Sequence, residues 1–184
     1  MRLILASSSP RRKELLDSIN IKYIVCPADI DEALDEGLTP EENVKNLGLK
    51  KARTVAKKYL NDVVLGCDTV VVLDDKIYGK PKSEEDAFNM LSLFSGRTHL
   101  VISGVAIISP EKTYNFSVTS KVTLKKLTDE DIRKYIDTKE CFGKAGSYAI
   151  QGLGANLILK YEGELNNIIG LPLTEVKPIL EELL

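Results

Sequence analysis

Val63-Val64-Leu65-Gly66-Cys67-Asp68-Thr69-Val70-Val71-Val72-Leu73 is the most β-prone run in the chain. Its apolar positions do not alternate with polar ones, so it reads as a strand covered on both faces, at the centre of a sheet. Asp74-Asp75-Lys76 then turns the chain into a short return strand through Ile77 and Tyr78. Upstream, Leu3-Ile4-Leu5-Ala6 reads as a buried strand, followed by Ser7-Ser8-Ser9-Pro10 and a helix carrying Leu15, Leu16 and Ile19. Residues 22–26 form a short β-prone run and residues 27–38 an acidic loop. Thr39-Pro40-Glu41-Glu42 opens the next helix, with Thr as N-cap and Pro in the first helical position, and helical spacing continues to about Tyr59.

Downstream, Ser83 caps a helix reaching about Phe94, with Glu84 and Glu85 where the helix dipole favours negative charge. Residues 98–108 and 113–126 read as a hairpin-like pair of long strands, and Thr128-Asp129-Glu130-Asp131 starts a helix ending near Thr138. A glycine-rich segment, 143–154, leads to a strand around 157–160. Residues 172–184 close as a helix that Pro178 is expected to kink or delay. Helices interleaved with strands, plus a paired ribbon, imply an α/β protein with a mixed sheet.

The 184 residues suit one domain, or two small lobes sharing a core, and 43% apolar with 28% charged residues is an ordinary globular composition. Lys plus Arg number 25 and Asp plus Glu 27, a net charge of −2, against a general nucleic-acid binder. Cys26, Cys67, Cys141 and the lone His99 supply neither a disulfide framework nor a zinc knuckle, which points to a reducing cytosol. No stretch has the length and apolarity of a membrane span or a signal peptide.

Several charges stand where folding alone would not put them. Asp68 is the single charge in the central run. Burying it unpaired would cost several kcal/mol, so it needs a metal, a cationic partner, a raised pKa or a place at a strand end facing a cleft. The alternative is a turn between two shorter strands with Asp68-Thr69 at its tip. On the 39–59 helix, Val44, Leu47, Val55 and Tyr59 form one stripe and Lys51 projects from the middle of it, calling for a negative partner unless the side chain snorkels to solvent. Ser7-Ser8-Ser9-Pro10-Arg11-Arg12 places hydroxyls and two arginines at a helix start, a phosphate cradle or a plain Ser-Pro cap followed by solvated arginines. Lys80, between Gly79 and Pro81, is mounted as a point charge for phosphate, or is a solvated loop lysine. Within the glycine-rich segment, Gln151 could read a base edge with its amide, although a turn or glycine bulge accounts for the stretch nearly as well. His99 reads as a structural hydrogen-bonding residue. Neither a Walker P-loop nor a Gly-x-Gly-x-x-Gly fingerprint occurs.

Taken in order, Ala6-Ser7-x-Ser9-Pro10-Arg11-Arg12-x-Glu14-Leu15-Leu16, Gly66-x-Asp68-Thr69-Val70-Val71, Gly79-Lys80-Pro81, Ser95-Gly96-x-x-His99, Lys144-Ala145-Gly146, Ile150-Gln151-Gly152 and Gly170-Leu171-Pro172-Leu173 resemble the Maf family of nucleoside triphosphate pyrophosphatases across nearly the whole chain. The resemblance implies a single Maf-like domain over residues 1–184, with a two-lobed mixed-sheet α/β fold similar to the inosine-triphosphate pyrophosphatases. It also implies a central cleft holding a nucleotide and a divalent cation, Mg²⁺ or Mn²⁺. The reaction it implies is hydrolysis between the α- and β-phosphates to a nucleoside monophosphate and pyrophosphate.

The family's acid-base residue falls on Asp68, with Lys51 and Lys80 as catalytic cations and Glu32 with Asp68 as metal ligands. Ser7, Arg11, Arg12, Thr69, Lys144 and Gln151 fall on substrate-binding positions. Arg11 together with Thr69 and Gln151 resembles the dTTP- and UTP-acting subgroup rather than the one acting on 7-methyl-GTP. These side chains suit the chemistry: a triphosphate carries about four negative charges, and cations must stabilise the leaving pyrophosphate. Hard oxygen ligands fit Mg²⁺ better than zinc. The competing readings are a 7-methyl-GTP or other modified-nucleotide pyrophosphatase, and a nucleotide-binding regulator without turnover, since the family is also associated by name with inhibition of septum formation. The expected setting is the cytoplasm, without membrane or nucleic-acid partners, and a homodimer is left open. One departure is Asn20-Ile21, where the family more usually has Gly-Val after the first helix.

Overall fold

The computed structural model describes all residues, Met1–Leu184. The strands are β1 (Leu3–Leu5), β2 (Tyr23–Val25), β3 (Val63–Leu73), β4 (Lys76–Tyr78), β5 (Thr98–Ile108), β6 (Thr113–Leu124) and β7 (Ile158–Glu162). The helices are α1 (Pro10–Ser18), α2 (Pro40–Ala56), α3 (Glu84–Phe94), α4 (Asp129–Asp137), α5 (Leu165–Ile169) and α6 (Leu173–Leu183). The seven strands make one mixed sheet in the order β2-β1-β3-β5-β6-β7, with β4 paired antiparallel to β3. β1 runs parallel to β2 and β3, with Ile4 opposite Ile24 and Val64, whereas β6 and β7 are antiparallel. The mixed-sheet α/β class expected from the sequence is the one observed.

Three of the six helices, α2, α3 and α4, start on local capping chemistry. Thr39 accepts from the Glu42 amide while Glu42 bonds back to the Thr39 amide, and Thr128 and Asp131 repeat that reciprocal box. Ser83 accepts from the Asp86 amide. α2 ends at Ala56, short of Tyr59, because Lys58 and Tyr59 bond to Val55 and Ala56 three residues back and tighten the last turn. Asn20 adopts a left-handed φ of 57°, so the turn after α1 forms with asparagine in the conformation a glycine would otherwise supply. α6 begins at Leu173 with Pro178 inside it, so the proline does not delay the helix. α5 has no counterpart among the elements expected from the sequence, because a five-residue turn with two asparagines carries no periodicity.

The chain divides into two compact units. One comprises Met1–Thr69, Ser103–Val118 and Gly170–Leu184, the other Val70–Ile102 and Thr119–Ile169. β3, β5 and β6 each contribute residues to both. The second unit has its own core, with Leu91, Phe94, Val122, Leu124, Ile132 and Tyr148 at its heart. His99 lies in it, 1% exposed, stacked on Phe94 at 4.8 Å and hydrogen-bonded through Nε2 to the Tyr148 hydroxyl at 2.5 Å.

In the first unit, Ile4, Ala52, Val55, Val64 and Ala106 form a core in which α2 packs on the sheet. Three glycines set how closely. A Cβ on Gly66 would lie 2.3 Å from the Gly48 carbonyl oxygen, one on Gly48 would lie 2.7 Å from that of Gly104, and one on Gly104 would lie 2.1 Å from that of Val44. Backbone therefore meets backbone between α2 and strands β3 and β5. Gly66 and Asp68 share a face of β3 by the two-residue period, and Lys51 follows Gly48 by one helical turn, so this contact aims Lys51 at Asp68.

Two outcomes follow from this packing. Gly104→Ala should lower unfolding free energy by about 3 kcal/mol, since the neighbouring atoms are backbone and cannot rotate away; denaturant titration measures it. Burial lowers the His99 pKa to about 4, and its Nδ1 has no partner to accept a second N–H. An unfolded imidazole binds its proton near pH 6.5, so stability is full above that value and falls as pH drops toward 4, by about 3 kcal/mol in all. With a single histidine in the chain, His99→Phe should flatten the stability slope between pH 6.5 and 5.

Candidate active site

Asp68 lies inside β3, which is continuous from Val63 to Leu73; there is no turn at Asp68-Thr69. The carboxylate is buried, with the residue 9% exposed, and the Lys51 ammonium donates to Asp68 Oδ1 at 2.7 Å. Lys51, 7% exposed, does not snorkel, and its Nζ also lies 3.1 Å from Oε1 of the exposed Glu32 in the acidic loop. Asp68 Oδ2 accepts no hydrogen bond from the protein. The cation partner demanded by the sequence is therefore Lys51, and one ammonium holds two carboxylates from β3 and the 27–38 loop.

The opposite face of β3 carries a second cluster. Arg12, in the first turns of α1, donates from Nε to the Gly170 carbonyl at 2.9 Å, from Nη1 to Ser7 Oγ at 3.1 Å and from Nη2 to Thr69 Oγ1 at 3.0 Å. The Thr69 hydroxyl also lies 2.8 Å from Ser103 Oγ and 3.4 Å from the Gly170 oxygen. Since Thr69 accepts from Arg12, its own proton is left for Ser103 or Gly170. Arg12 is thus anchored in three directions. Arg11, half-buried, has no carboxylate within 4.0 Å. Burial first, and then the neighbouring Arg12 charge, lower its pKa, and the Glu14 carboxylate only partly offsets them. Ser9 makes no side-chain cap, so the start of α1 is not the plain serine cap that was the alternative. Beside this cluster, burial raises the Cys67 thiol pKa, which keeps it unreactive.

Lys80, Lys144 and Gln151 belong to the second unit. Lys80 is exposed, next to the buried Pro81. The preceding Gly79 carbonyl accepts from the Gly146 amide at 3.1 Å, and Gly146, at φ 72°, packs so closely on Val71 that a Cβ would lie 3.0 Å from its side chain. Lys144 Nζ donates to the Glu140 carbonyl at 2.7 Å. Gln151 is exposed and its side chain makes no hydrogen bond to the chain.

Sequence reasoning passed over Ser103, fully buried in Val101-Ile102-Ser103-Gly104-Val105, although a lone polar residue in an apolar strand is the signal that singled out Asp68. Gly170 was noted as a motif, but its role as a carbonyl acceptor for Arg12 depends on a contact 158 residues apart in sequence.

The chain matches the Maf family, described as Maf-like protein, over residues 2–183, and it belongs to that family. A relative from Clostridioides difficile (strain 630), named dTTP/UTP pyrophosphatase, is 45% identical, covering 99% of this chain and 95% of its own. One from Geobacillus sp. (strain WCH70), with the same name, is 47% identical, covering 94% and 93%. Among solved structures, the Staphylococcus aureus Ham1 protein is similar with a TM-score of 0.57 at 16% identity, covering 99% of both chains, a likeness of fold.

The ion pair has a measurable signature. Lys51→Met leaves the Asp68 carboxylate buried and unpaired and should destabilise the protein by about 3–5 kcal/mol. The double variant Lys51→Met/Asp68→Leu should recover most of that loss in denaturant unfolding, because no charge then remains to be desolvated.

Proposed function

We propose that the protein hydrolyses dTTP and UTP between the α- and β-phosphates, releasing a nucleoside monophosphate and pyrophosphate. The observation that carries this reading is the buried Lys51–Asp68 pair with Glu32 on the same ammonium, read together with the names of the family relatives. A carboxylate set in an apolar strand, with one oxygen held by a lysine and the other without a protein donor, is equipped to orient a water and take its proton. The lysine holds the carboxylate in one rotamer and adds positive charge where the phosphates would lie.

Glu32 and Asp68 would hold the divalent cation. The residues fit it: two hard carboxylates converge within 3.1 Å of one nitrogen, and Mg²⁺ commonly takes one or two carboxylates and completes its shell with substrate phosphates. When bound, such a cation neutralises charge on the phosphate oxygens. Mg²⁺ or Mn²⁺ is our assignment from the oxygen donors.

On the other face of β3, Arg12 is fixed by Ser7, Thr69 and Gly170, and Arg11, lacking a carboxylate, is the free guanidinium for a phosphate oxygen. Ser7 acts here by orienting Arg12. We assign Lys80 and Lys144 to the phosphates, and Thr69 and Gln151 to substrate choice, on the strength of the family resemblance and the residue types present. The three cysteines are free thiols, in keeping with a cytoplasmic setting.

With Mg²⁺ or Mn²⁺, UTP and dTTP should yield pyrophosphate and the monophosphate, measured by product chromatography. Asp68→Asn should abolish release, by at least about a thousandfold, while nucleotide binding by calorimetry stays within about tenfold. Binding without turnover by the wild type would instead favour a regulator, and preference for 7-methyl-GTP in a substrate panel would move the specificity elsewhere in the family.

A further inference from the structure

The segment carrying Gln151 is held at both ends by one residue. Glu140 follows α4 and is half-buried. Its carbonyl accepts from Lys144 Nζ at 2.7 Å, at the start of the segment. At the far end its carboxylate accepts two backbone amides, Leu153 N on Oε1 at 3.1 Å and Gly154 N on Oε2 at 2.8 Å. The fit against the carboxylate is tight: Gly152 has φ 71°, and a Cβ there would lie 2.2 Å from Glu140 Oε1. A Cβ on Gly154 would lie 2.0 Å from the Ala149 carbonyl oxygen. Between these ties the buried Tyr148 is pinned through its hydroxyl to His99. Gln151 therefore stands exposed on a short span, fixed by Tyr148 three residues before it and by Glu140 two and three residues after.

We infer that Glu140 is a positioning residue for base recognition: by holding the Leu153 and Gly154 amides it presents the Gln151 amide in one orientation to the base of the nucleotide. This rests on the reading of Gln151 as a substrate-choice residue. The physical basis is preorganisation. Charge-assisted hydrogen bonds from two successive amides remove the freedom the Gly152 and Gly154 backbone would otherwise have, and a recognising side chain gains selectivity only to the extent that its geometry is fixed. Sequence alone gives Glu140 no distinction from other surface glutamates, since its partners are backbone groups 13 and 14 residues away.

The test compares steady-state kinetics on UTP and CTP for wild type, Glu140→Ala, Glu140→Gln, Gly152→Ala and Gln151→Ala. Glu140→Ala should lower the UTP-over-CTP ratio of kcat/KM by roughly tenfold, through a raised KM for UTP with kcat changed less than about threefold. Glu140→Gln, which keeps a neutral acceptor, should fall between. Gly152→Ala, with Glu140 intact but pushed away, should reproduce the same split, so the test survives if Glu140→Ala fails to fold. Adding Glu140→Ala to Gln151→Ala should then leave the ratio unmoved. The inference is overturned if Gln151→Ala shifts the ratio while Glu140→Ala and Gly152→Ala lower both substrates equally. If Gln151→Ala leaves the ratio unchanged, the reading of Gln151 fails first and the inference with it.

Discussion

A charged carboxylate in the middle of an apolar strand has to be compensated, and in this protein Lys51 does so. The pair constrains much of the first unit. Lys51 reaches Asp68 only because α2 lies against β3 and β5 at backbone contact distance, and that distance requires glycine at positions 48, 66 and 104. A side chain at any of the three would meet backbone atoms closer than 3 Å, so it would force α2 away from the strand that carries Asp68. Glu32 brings a second carboxylate to the same ammonium from the acidic loop, so a segment without regular structure is tied to the buried pair.

The strand that carries Asp68 also separates two kinds of chemistry. Alternation puts Asp68 on the α2 side and Thr69 on the other, where Arg12, Ser7, Ser103 and the Gly170 carbonyl meet. Two adjacent residues thus serve a buried ion pair on one face and, on the other, a hydrogen-bonded network that holds the Arg12 guanidinium with uncharged acceptors. Arg12 is largely committed to that network and Arg11 is not, so neighbouring arginines in one motif have different capacities for an incoming anion. In the second unit the same economy recurs, with Glu140 and the His99–Tyr148 pair fixing the loop whose exposed members are the functional candidates.

The elements were legible where their signals are local. Caps at Thr39 and Ser83, the helix start at Thr128, the β-prone run at 63–73 and the ribbon of β5 and β6 all depend on neighbours within a few residues, which is why the sequence carries them; only the alternative turn at Asp68-Thr69 needed the structure to exclude it. α5 was not legible, because one turn of helix containing Asn166 and Asn167 is held by burial of Asn167, Ile168 and Ile169 rather than by its own propensity. Asp68 and Lys51 were legible as anomalies because each breaks an apolar pattern. Ser103 broke one as well but carries no charge, so its misplacement is cheaper and its signal weaker.

What the amino-acid order determined by itself was therefore every strand and every helix except α5, the α/β class and the presence of two buried charges each needing an opposite. Only the tertiary structure decided that these charges satisfy one another, that Arg12 rather than Arg11 is anchored, and that Glu140 closes the loop around Gln151. The physical reason is the same in each case. Secondary structure and burial are written in short-range periodicity, whereas a partner is chosen by the close approach of backbones far apart in the chain, where the absence of a glycine's side chain matters as much as any side chain present.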